Sequence, residues 1–157
     1  MILIFKPFKV GDYIEVNDKE GTVKSITMFY TTITTFDNKV IQLPNGNLSN
    51  SEITNYTMNK FRMLDINVSV SYDSDIKKVK KVLSDIANNY DLILKDKDIN
   101  IRLKEMADSS LIFIFRAWVN TKDYWIAYYD IIELIKETLD KNKIEIPYPQ
   151  MDIHMKK

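Results

Sequence analysis

The sequence predicts an α+β protein in which a small β barrel is followed by an α/β sandwich. Three observations predict this fold class. Short runs of β-branched and aromatic residues, separated by turns, fill residues 8–57. Residues 61–147 alternate between strand periodicity and helical periodicity. After two prolines, an alternating apolar run occupies residues 150–157.

The predicted barrel consists of five short strands joined by turns. Asp37-Asn38 is predicted as a tight hairpin turn because both residue types tolerate positive φ, and Pro44-Asn45-Gly46 is predicted as another turn. Five strands in about 50 residues are typical of an Sm-like or SH3-like barrel. The predicted strands are Asp12–Val16, Thr22–Tyr30, Thr31–Phe36, Val40–Leu43 and Ile53–Thr57.

The second part has the order β-α-β-β-α-β, which is that of a ferredoxin-like sandwich. Asp73-Ser74-Asp75 is predicted to cap the first helix, because its side-chain oxygens and negative charge suit a helix N-terminus. Leu111–Val119 is apolar on both faces apart from Arg116, which indicates a central strand. The other strands are predicted at Leu64–Tyr72, Ile99–Leu103 and Lys143–Ile146, and the helices at Ile76–Tyr90 and along the stripe Trp125, Tyr128, Ile132, Ile135 and Leu139.

The C-terminal segment reads as a strand that needs a sheet to join. Pro147 and Pro149 exclude a helix there, and an apolar face of alternate residues follows them. Burying three such side chains gains about 6 kcal/mol, whereas ordering six residues costs about 9 kcal/mol. Three alternatives are open for such a strand: it pairs at the edge of its own domain's sheet, it frays, or it pairs with strands of neighbouring subunits. Its residues are Met151, Asp152, Ile153, His154 and Met155.

Composition restricts the function classes. The 157 residues are 45% hydrophobic and 28% charged, so a real core is expected rather than disorder. The 22 basic and 22 acidic side chains give a formal net charge of zero, which counts against a nucleic-acid binder. There is no cysteine, which excludes disulfides and thiolate sites. The apolar start Met1–Phe5 is too short to span a bilayer.

No residue pattern predicts catalysis, a metal or a cofactor. The three glycines lie too far apart for a phosphate-binding loop, and His154 has no second histidine or cysteine to form a metal site. Helix capping explains Asp73 and Asp75 better than acid–base chemistry does. Arg116 is expected to place its charged head at a surface, at an interface or against a carboxylate.

Six segments, taken together in chain order, carry a resemblance to one protein family. They are Phe5–Ile14, Gly21–Ile26, Thr31–Gly46, Val70–Ile76, Ile93–Asp96 and Pro147–Asp152. Over essentially the whole chain they resemble the small-conductance mechanosensitive channel (MscS) family. The first segment is similar to the one that leads out of the family's pore-lining helix, with Phe5, Pro7 and Phe8 as the connector, and the last is similar to its C-terminal strand. Val70–Ile76 and Ile93–Asp96 are similar to its α/β domain. The family's β-domain signature is matched at Gly21, Thr32, Asp37, Pro44 and Asn45.

The resemblance implies a subunit of a homoheptamer in the cell (inner) membrane, with this region on the cytoplasmic side. Residues 1–7 would be a remnant of the pore-helix connector, the family's transmembrane helices being absent from this sequence. Residues 8–57 and 61–147 would form the wall of a hollow cage through which ions and small solutes pass. Residues 150–157 would close its base as a parallel β barrel between subunits. The cage would act as a solute prefilter and a brace for a pore that membrane tension opens during hypo-osmotic shock.

Two other functions remain as alternatives: a nucleic-acid-binding module and a small-ligand-binding regulator, since both occur on such scaffolds. The first predicts exposed aromatics among basic residues on a sheet. Here the predicted solvent-exposed face of the first α/β strand carries Asp65, Asn67, Ser69 and Ser71, so no nucleic-acid partner is expected. The second lacks a phosphate loop, a metal cluster and a nucleophile–base pair.

Overall fold

A computed structural model of the chain describes residues 7–156, and it divides the chain into two compact units, residues 1–60 and 61–157. The structure is α+β with antiparallel sheets and few helices, which confirms the predicted fold class. The assignment of Met1–Phe5 to a connector lies outside the described residues.

The first unit is a five-stranded antiparallel sheet with one short helix. The elements are β1 (Tyr13–Val16), β2 (Lys19–Ile26), β3 (Tyr30–Thr34), β4 (Val40–Pro44), the short helix α1 (Asn45–Leu48) and β5 (Thr54–Asn55). The strand order in the sheet is β4-β3-β2-β1-β5. A tight β1–β2 turn forms because Asn17 and Asp18 adopt φ of 47° and 58°, a conformation that these residue types tolerate. The core of the unit consists of Phe8, Ile14, Val16, Val23, Ile33 and Leu48.

One predicted turn in this unit is wrong. Pro44-Asn45-Gly46 does not form a simple turn, because α1 begins at Asn45 directly after β4. Pro44 directly precedes the helix in an extended conformation, with φ of −61° and ψ of 129°. A proline suits this position because the first N–H groups of a helix have no intrahelical acceptor, and proline has no N–H. In the predicted Asp37-Asn38 hairpin turn, Asn38 adopts a positive φ of 66°.

The second unit packs two helices on a three-stranded antiparallel sheet. The elements are β6 (Phe61–Val70), α2 (Ile76–Asn89), β7 (Asn100–Met106), β8 (Leu111–Asn120), a 3₁₀ turn (Thr121–Asp123) and α3 (Tyr124–Lys141). The strand order is β6-β8-β7, and the central position of β8 confirms the prediction for the apolar run around Phe113 and Phe115, both of which are fully buried. Asp75 caps α2 as predicted, accepting hydrogen bonds from the amides of Lys77 and Lys78.

The buried stripe of α3 differs from the predicted one. Ile135 and Leu139 are buried as expected, but Trp125 and Ile132 are 57% and 40% exposed. Residues spaced four apart, Ala127 and Ile131 first, continue the buried stripe instead. Alanine contributes little to the apolar pattern of a helix because its side chain is small. A prediction based on the bulky apolar residues therefore places the buried face of α3 on the wrong side of the helix.

The predicted final strand at Lys143–Ile146 is also wrong. The chain reverses after α3 at Lys143, which has φ of 56°, and Ile144 is buried. Among the described residues, one backbone hydrogen bond links this segment to the end of the first strand of the unit: the amide of Ser71, directly after β6, donates to the carbonyl of Glu145 at 2.9 Å. Across the described residues, the second unit therefore has the order β-α-β-β-α.

Candidate assembly surfaces

The C-terminal segment is exposed along its whole described length. Met151, Ile153 and Met155 are 84%, 78% and 89% exposed, and Asp152 and His154 are exposed between them. Among the described residues the segment pairs with neither sheet, which excludes an edge strand of its own domain. The amide of Gln150 donates to Ser109 Oγ at 3.1 Å, so the start of the segment is held against the second unit.

Gly21 lies where two strand backbones approach closely. A Cβ atom placed on Gly21 would be 2.6 Å from the carbonyl oxygen of Thr34 and 2.8 Å from its carbon. Gly21 pairs with Ile14 on β1, and the neighbouring Thr22 pairs with Thr34 on β3. Any side chain at this position would therefore push β3 out of its ladder.

A buried asparagine braces the turn between β2 and β3. Asn45 Nδ2 donates to the carbonyls of Thr27 at 2.8 Å and Met28 at 3.2 Å. Its Oδ1 accepts from the buried hydroxyl of Thr31 at 2.8 Å, and its amide donates to the carbonyl of Phe29 at 2.8 Å. The turn thus holds Met28 and Phe29 outward, at 76% and 69% exposure.

The other signature residues have separate places. Thr32 is half-buried and pairs across the sheet, so its neighbour Thr31 is the residue that contacts Asn45. Asp37 accepts from Thr35 Oγ1 at 2.6 Å and lies 3.0 Å from Lys39 Nζ. These hydrogen bonds and the Lys39 charge hold the pKa of Asp37 below its ordinary value. Sequence reasoning missed Thr31, although its position in an alternating strand could have indicated burial.

A second polar cluster holds the segment that precedes β1. Asp12 Oδ2 accepts from the Lys9 amide at 3.0 Å and from Asn55 Nδ2 at 2.9 Å, and Thr57 Oγ1 lies 3.3 Å from Oδ1. Burial acts to raise the pKa of Asp12, but the hydrogen bonds outweigh it and lower the pKa. Asn55 also donates to the carbonyl of Pro7 at 3.1 Å. Sequence reasoning missed this cluster, which joins both ends of the first unit.

Two of the three predicted connector residues are described. Pro7 is tied to Asn55, and Phe8 is 2% exposed within the core of the first unit. Phe5 lies outside the described residues.

Charged side chains of the second unit pair on its surface and at a helix end. Arg116 Nε donates to Asp65 Oδ1 at 3.0 Å, so a carboxylate partner is the one of the three expected placements that the structure shows. Lys95 Nζ donates to the carbonyls of Ala87 at 2.7 Å and Tyr90 at 2.6 Å, at the C-terminal end of α2. The lysine therefore satisfies carbonyls that a helix end leaves without intrahelical donors. Burial lowers its pKa.

The described part of the chain contains neither a metal-binding cluster nor a helix suited to crossing a membrane. There, no three histidine, aspartate or glutamate side chains come close enough together to hold a metal ion. No helix there is both long and apolar enough to cross a membrane. The polar side chains described above hold turns in place, accept or donate hydrogen bonds at helix ends, and pack within the two units.

Comparison with known proteins identifies the family. Residues 1–58 match the family model described as the β-domain of mechanosensitive ion channels, and residues 64–146 match that of the MscS C-terminal region. The chain belongs to the MscS family of mechanosensitive ion channels. This is an ion-channel family rather than a class of enzymes.

Individual MscS relatives agree with this assignment. The chain is 44% identical over 155 residues to the small-conductance mechanosensitive channel of Edwardsiella ictaluri, covering 99% of the chain and 54% of that protein. It matches the closed-state crystal structure of Helicobacter pylori MscS with a TM-score of 0.92 and 35% identity, over 98% of this chain and 61% of that one. Arabidopsis thaliana MSL1, at 14% identity and a TM-score of 0.75 over 91% of this chain and 54% of that one, shares the fold. The chain spans about half the length of the curated relatives it matches.

Proposed function

We propose that this chain is the cytoplasmic cage region of a mechanosensitive channel subunit whose pore opens under membrane tension. The observation that carries the proposal is the ordered match of two channel-family models, to residues 1–58 and 64–146. The chain covers only about half of its relatives. The membrane-spanning helices are assigned to the remainder of the subunit, which would place this region beside the inner membrane.

In this proposal the domains have separate tasks. Residues 8–57, the β domain, and residues 61–147, the α/β domain, each contribute to the wall of the cage. Residues 1–7, together with Phe8 at the start of the β domain, connect to the pore helix, and Phe5, Pro7 and Phe8 are the connector residues. Ions and small solutes pass between subunits, so the cage filters solutes and braces the channel when hypo-osmotic shock opens it. No cofactor, metal or catalytic residue takes part.

Residues 150–157 act as the oligomerisation strand, and seven copies close the base as a parallel barrel. The support is an apolar face that the single chain leaves exposed at Met151, Ile153 and Met155. A barrel gives every strand two partners by symmetry, so its backbone groups are paired and no sheet edge remains. This supplies the sheet that an isolated strand lacks.

The oligomerisation strand is tested by Ile153→Asp and by truncation after Tyr148. Both changes lie in an exposed segment, so circular dichroism should match that of the parent chain. The charge would enter once per subunit at the centre of the apolar face, so like charges would be desolvated and crowded together. We expect light scattering to show a weaker or lost oligomer at equal protein concentration. A truncated chain that assembles as tightly as the parent would refute the role of the strand.

A further inference from the structure

Asn55 lies where the chain enters and leaves the first unit, and both sides of its side-chain amide are used. Its Nδ2 donates to the carbonyl of Pro7 at 3.1 Å and to Asp12 Oδ2 at 2.9 Å. Its Oδ1 accepts from the amides of Thr57 at 3.0 Å and Met58 at 2.9 Å. The nitrogen side thus holds the segment that enters the unit, and the oxygen side holds the segment that leaves it.

An asparagine suits this place because one planar group carries both donors and an acceptor. The partners of Nδ2 are a carbonyl and a carboxylate, and the partners of Oδ1 include two backbone N–H groups. Turning the amide over would set donor against donor and acceptor against acceptor, so its orientation is fixed by its partners. An aspartate of the same shape would keep the oxygen side and lose the nitrogen side.

The segment that leaves the unit has a short backbone ladder. The strand β5 is only two residues long and pairs with Ile14 and Glu15 of β1. Such a ladder supplies few backbone hydrogen bonds, and each hydrogen bond contributes only modestly to stability. The contacts of Asn55 are therefore a large share of what holds this segment.

The segment that enters the unit offers Asn55 a stiff partner. Pro7 has a fixed φ and no N–H, so its carbonyl is its one backbone hydrogen-bonding group. Phe8, the next residue, is 2% exposed in the core of the unit. Among the contacts within residues 7–156, a pull from the N-terminal side reaches the hydrogen bond between Pro7 and Asn55 before it reaches Phe8.

We propose that Asn55 is a force-coupling residue, which makes the entry and the exit of the first unit move as one body. The inference rests on the proposed function, in which residues 1–7 connect this unit to the pore helix. A pull on the connector would pass through Asn55 to residues 57–58, and the sheet would be carried along without being stretched. Asn55 is thus a positioning residue that acts through the connector.

Pulling on the two ends of the first unit tests the proposal. The sequence has no cysteine, so a cysteine added before Met1 and another in place of Lys60 give unique attachment points for optical tweezers. The measurement is the lifetime of the entering segment on the unit at constant force. Asn55→Asp removes the donor to Pro7 and should shorten this lifetime at least about tenfold. Asn50→Asp makes the same chemical change at an exposed residue of the same unit and should alter it less than about twofold.

Hydrogen exchange shows which side of the amide has been lost. Asn55→Asp keeps an acceptor for the Met58 amide, whose exchange should stay within about threefold of the parent rate. Asn55→Ala removes both sides, so exchange at Met58 should speed up at least about fivefold. Equal exchange in the two variants would overturn the separate roles of the nitrogen and the oxygen. Circular dichroism establishes that each variant keeps the parent fold.

A double variant separates coupling from charge repulsion. Asn55→Asp places a second carboxylate beside Asp12, whereas Asp12→Asn combined with Asn55→Asp removes the like-charge pair and still leaves position 55 without a donor for Pro7. We expect the double variant to keep a short lifetime under force. The proposal is overturned if this variant regains the parent lifetime, if Asn55→Asp detaches like the parent, or if Asn50→Asp detaches equally early. Tension-activated currents test the channel function separately, so the two failures are distinguishable.

Discussion

Replacing Gly21 by alanine is expected to destabilise the first unit. The new Cβ would lie 2.6 Å from the carbonyl oxygen of Thr34, whereas weak C–H···O contacts have carbon–oxygen distances of about 3.3–3.6 Å. The overlap of about 0.7 Å or more is with backbone, so no side chain can rotate to relieve it. The β2–β3 ladder, which pairs Val23 with Ile33 beside this point, opposes the shift. Overpacking of this kind costs about 1–3 kcal/mol in the free energy of unfolding.

Gly46→Ala is the matched control. A Cβ at Gly46 would meet no atom within 4 Å, and the residue lies in α1 without positive φ. Alanine favours a helix more than glycine does and restricts the unfolded chain, so this variant should be unchanged or more stable by up to about 1 kcal/mol. The two variants thus differ in the sign of their effect although their chemical change is identical.

Urea unfolding with a separate probe for each unit is the assay. Both tryptophans, Trp118 and Trp125, belong to the second unit, so their fluorescence should keep the parent midpoint in either glycine variant. Hydrogen exchange at the buried Val23 and Ile33 reports the first unit. Gly21→Ala should speed exchange there about fivefold or more. If these amides in Gly21→Ala exchange at the rate of the parent chain, the clash predicted between a Cβ atom at position 21 and the Thr34 carbonyl is refuted.

Three further changes test the polar contacts. Asn45→Ala should cost the first unit about 1–3 kcal/mol in urea unfolding, because the buried Thr31 hydroxyl and two turn carbonyls lose their partner; an unchanged midpoint would contradict this. Because folding lowers the pKa of Asp12, its charged form stabilises the first unit above the ordinary pKa of 3.8, and this contribution is lost as pH falls through the folded-state pKa. Unfolding midpoints measured between pH 5 and pH 2 should therefore drop less steeply for Asp12→Asn than for the parent chain. Lys95→Met should destabilise the second unit by about 1 kcal/mol through loss of the hydrogen bonds at the end of α2, with tryptophan fluorescence as the readout; a gain in stability would contradict the capping role.

The fold could be predicted where periodicity and local chemistry agree. The alternation of β6 and the doubly apolar β8 gave the correct strands, and Asp75 gave the correct helix start. The failures have local physical causes. The buried stripe of α3 uses Ala127 where bulky side chains were expected, and the predicted final strand is replaced by a turn at Lys143 with positive φ.

The polar contacts of the candidate surfaces were harder to predict. Asn45 was selected from a family resemblance, but its partners Thr27, Thr31 and Met28 become visible only once the sheet register is known. Asp12 and Asn55 lie 43 positions apart along the chain, so no local pattern joins them. The exposure of Met151 to Met155 in the single chain is consistent with the prediction that their partners lie on other copies.

The most direct test of the central claim is to record currents under applied membrane tension. The membrane region of the Edwardsiella ictaluri channel would be joined to this chain in place of the equivalent half of that protein and expressed in bacteria that lack their own mechanosensitive channels. We expect patches to show tension-activated conductance, and the cells to survive hypo-osmotic shock. The same fusion truncated after Tyr148 provides the control for the oligomerisation strand. A fusion that reaches the membrane and stays silent at every tension up to rupture would contradict the proposal that this chain is the cage of a mechanosensitive channel.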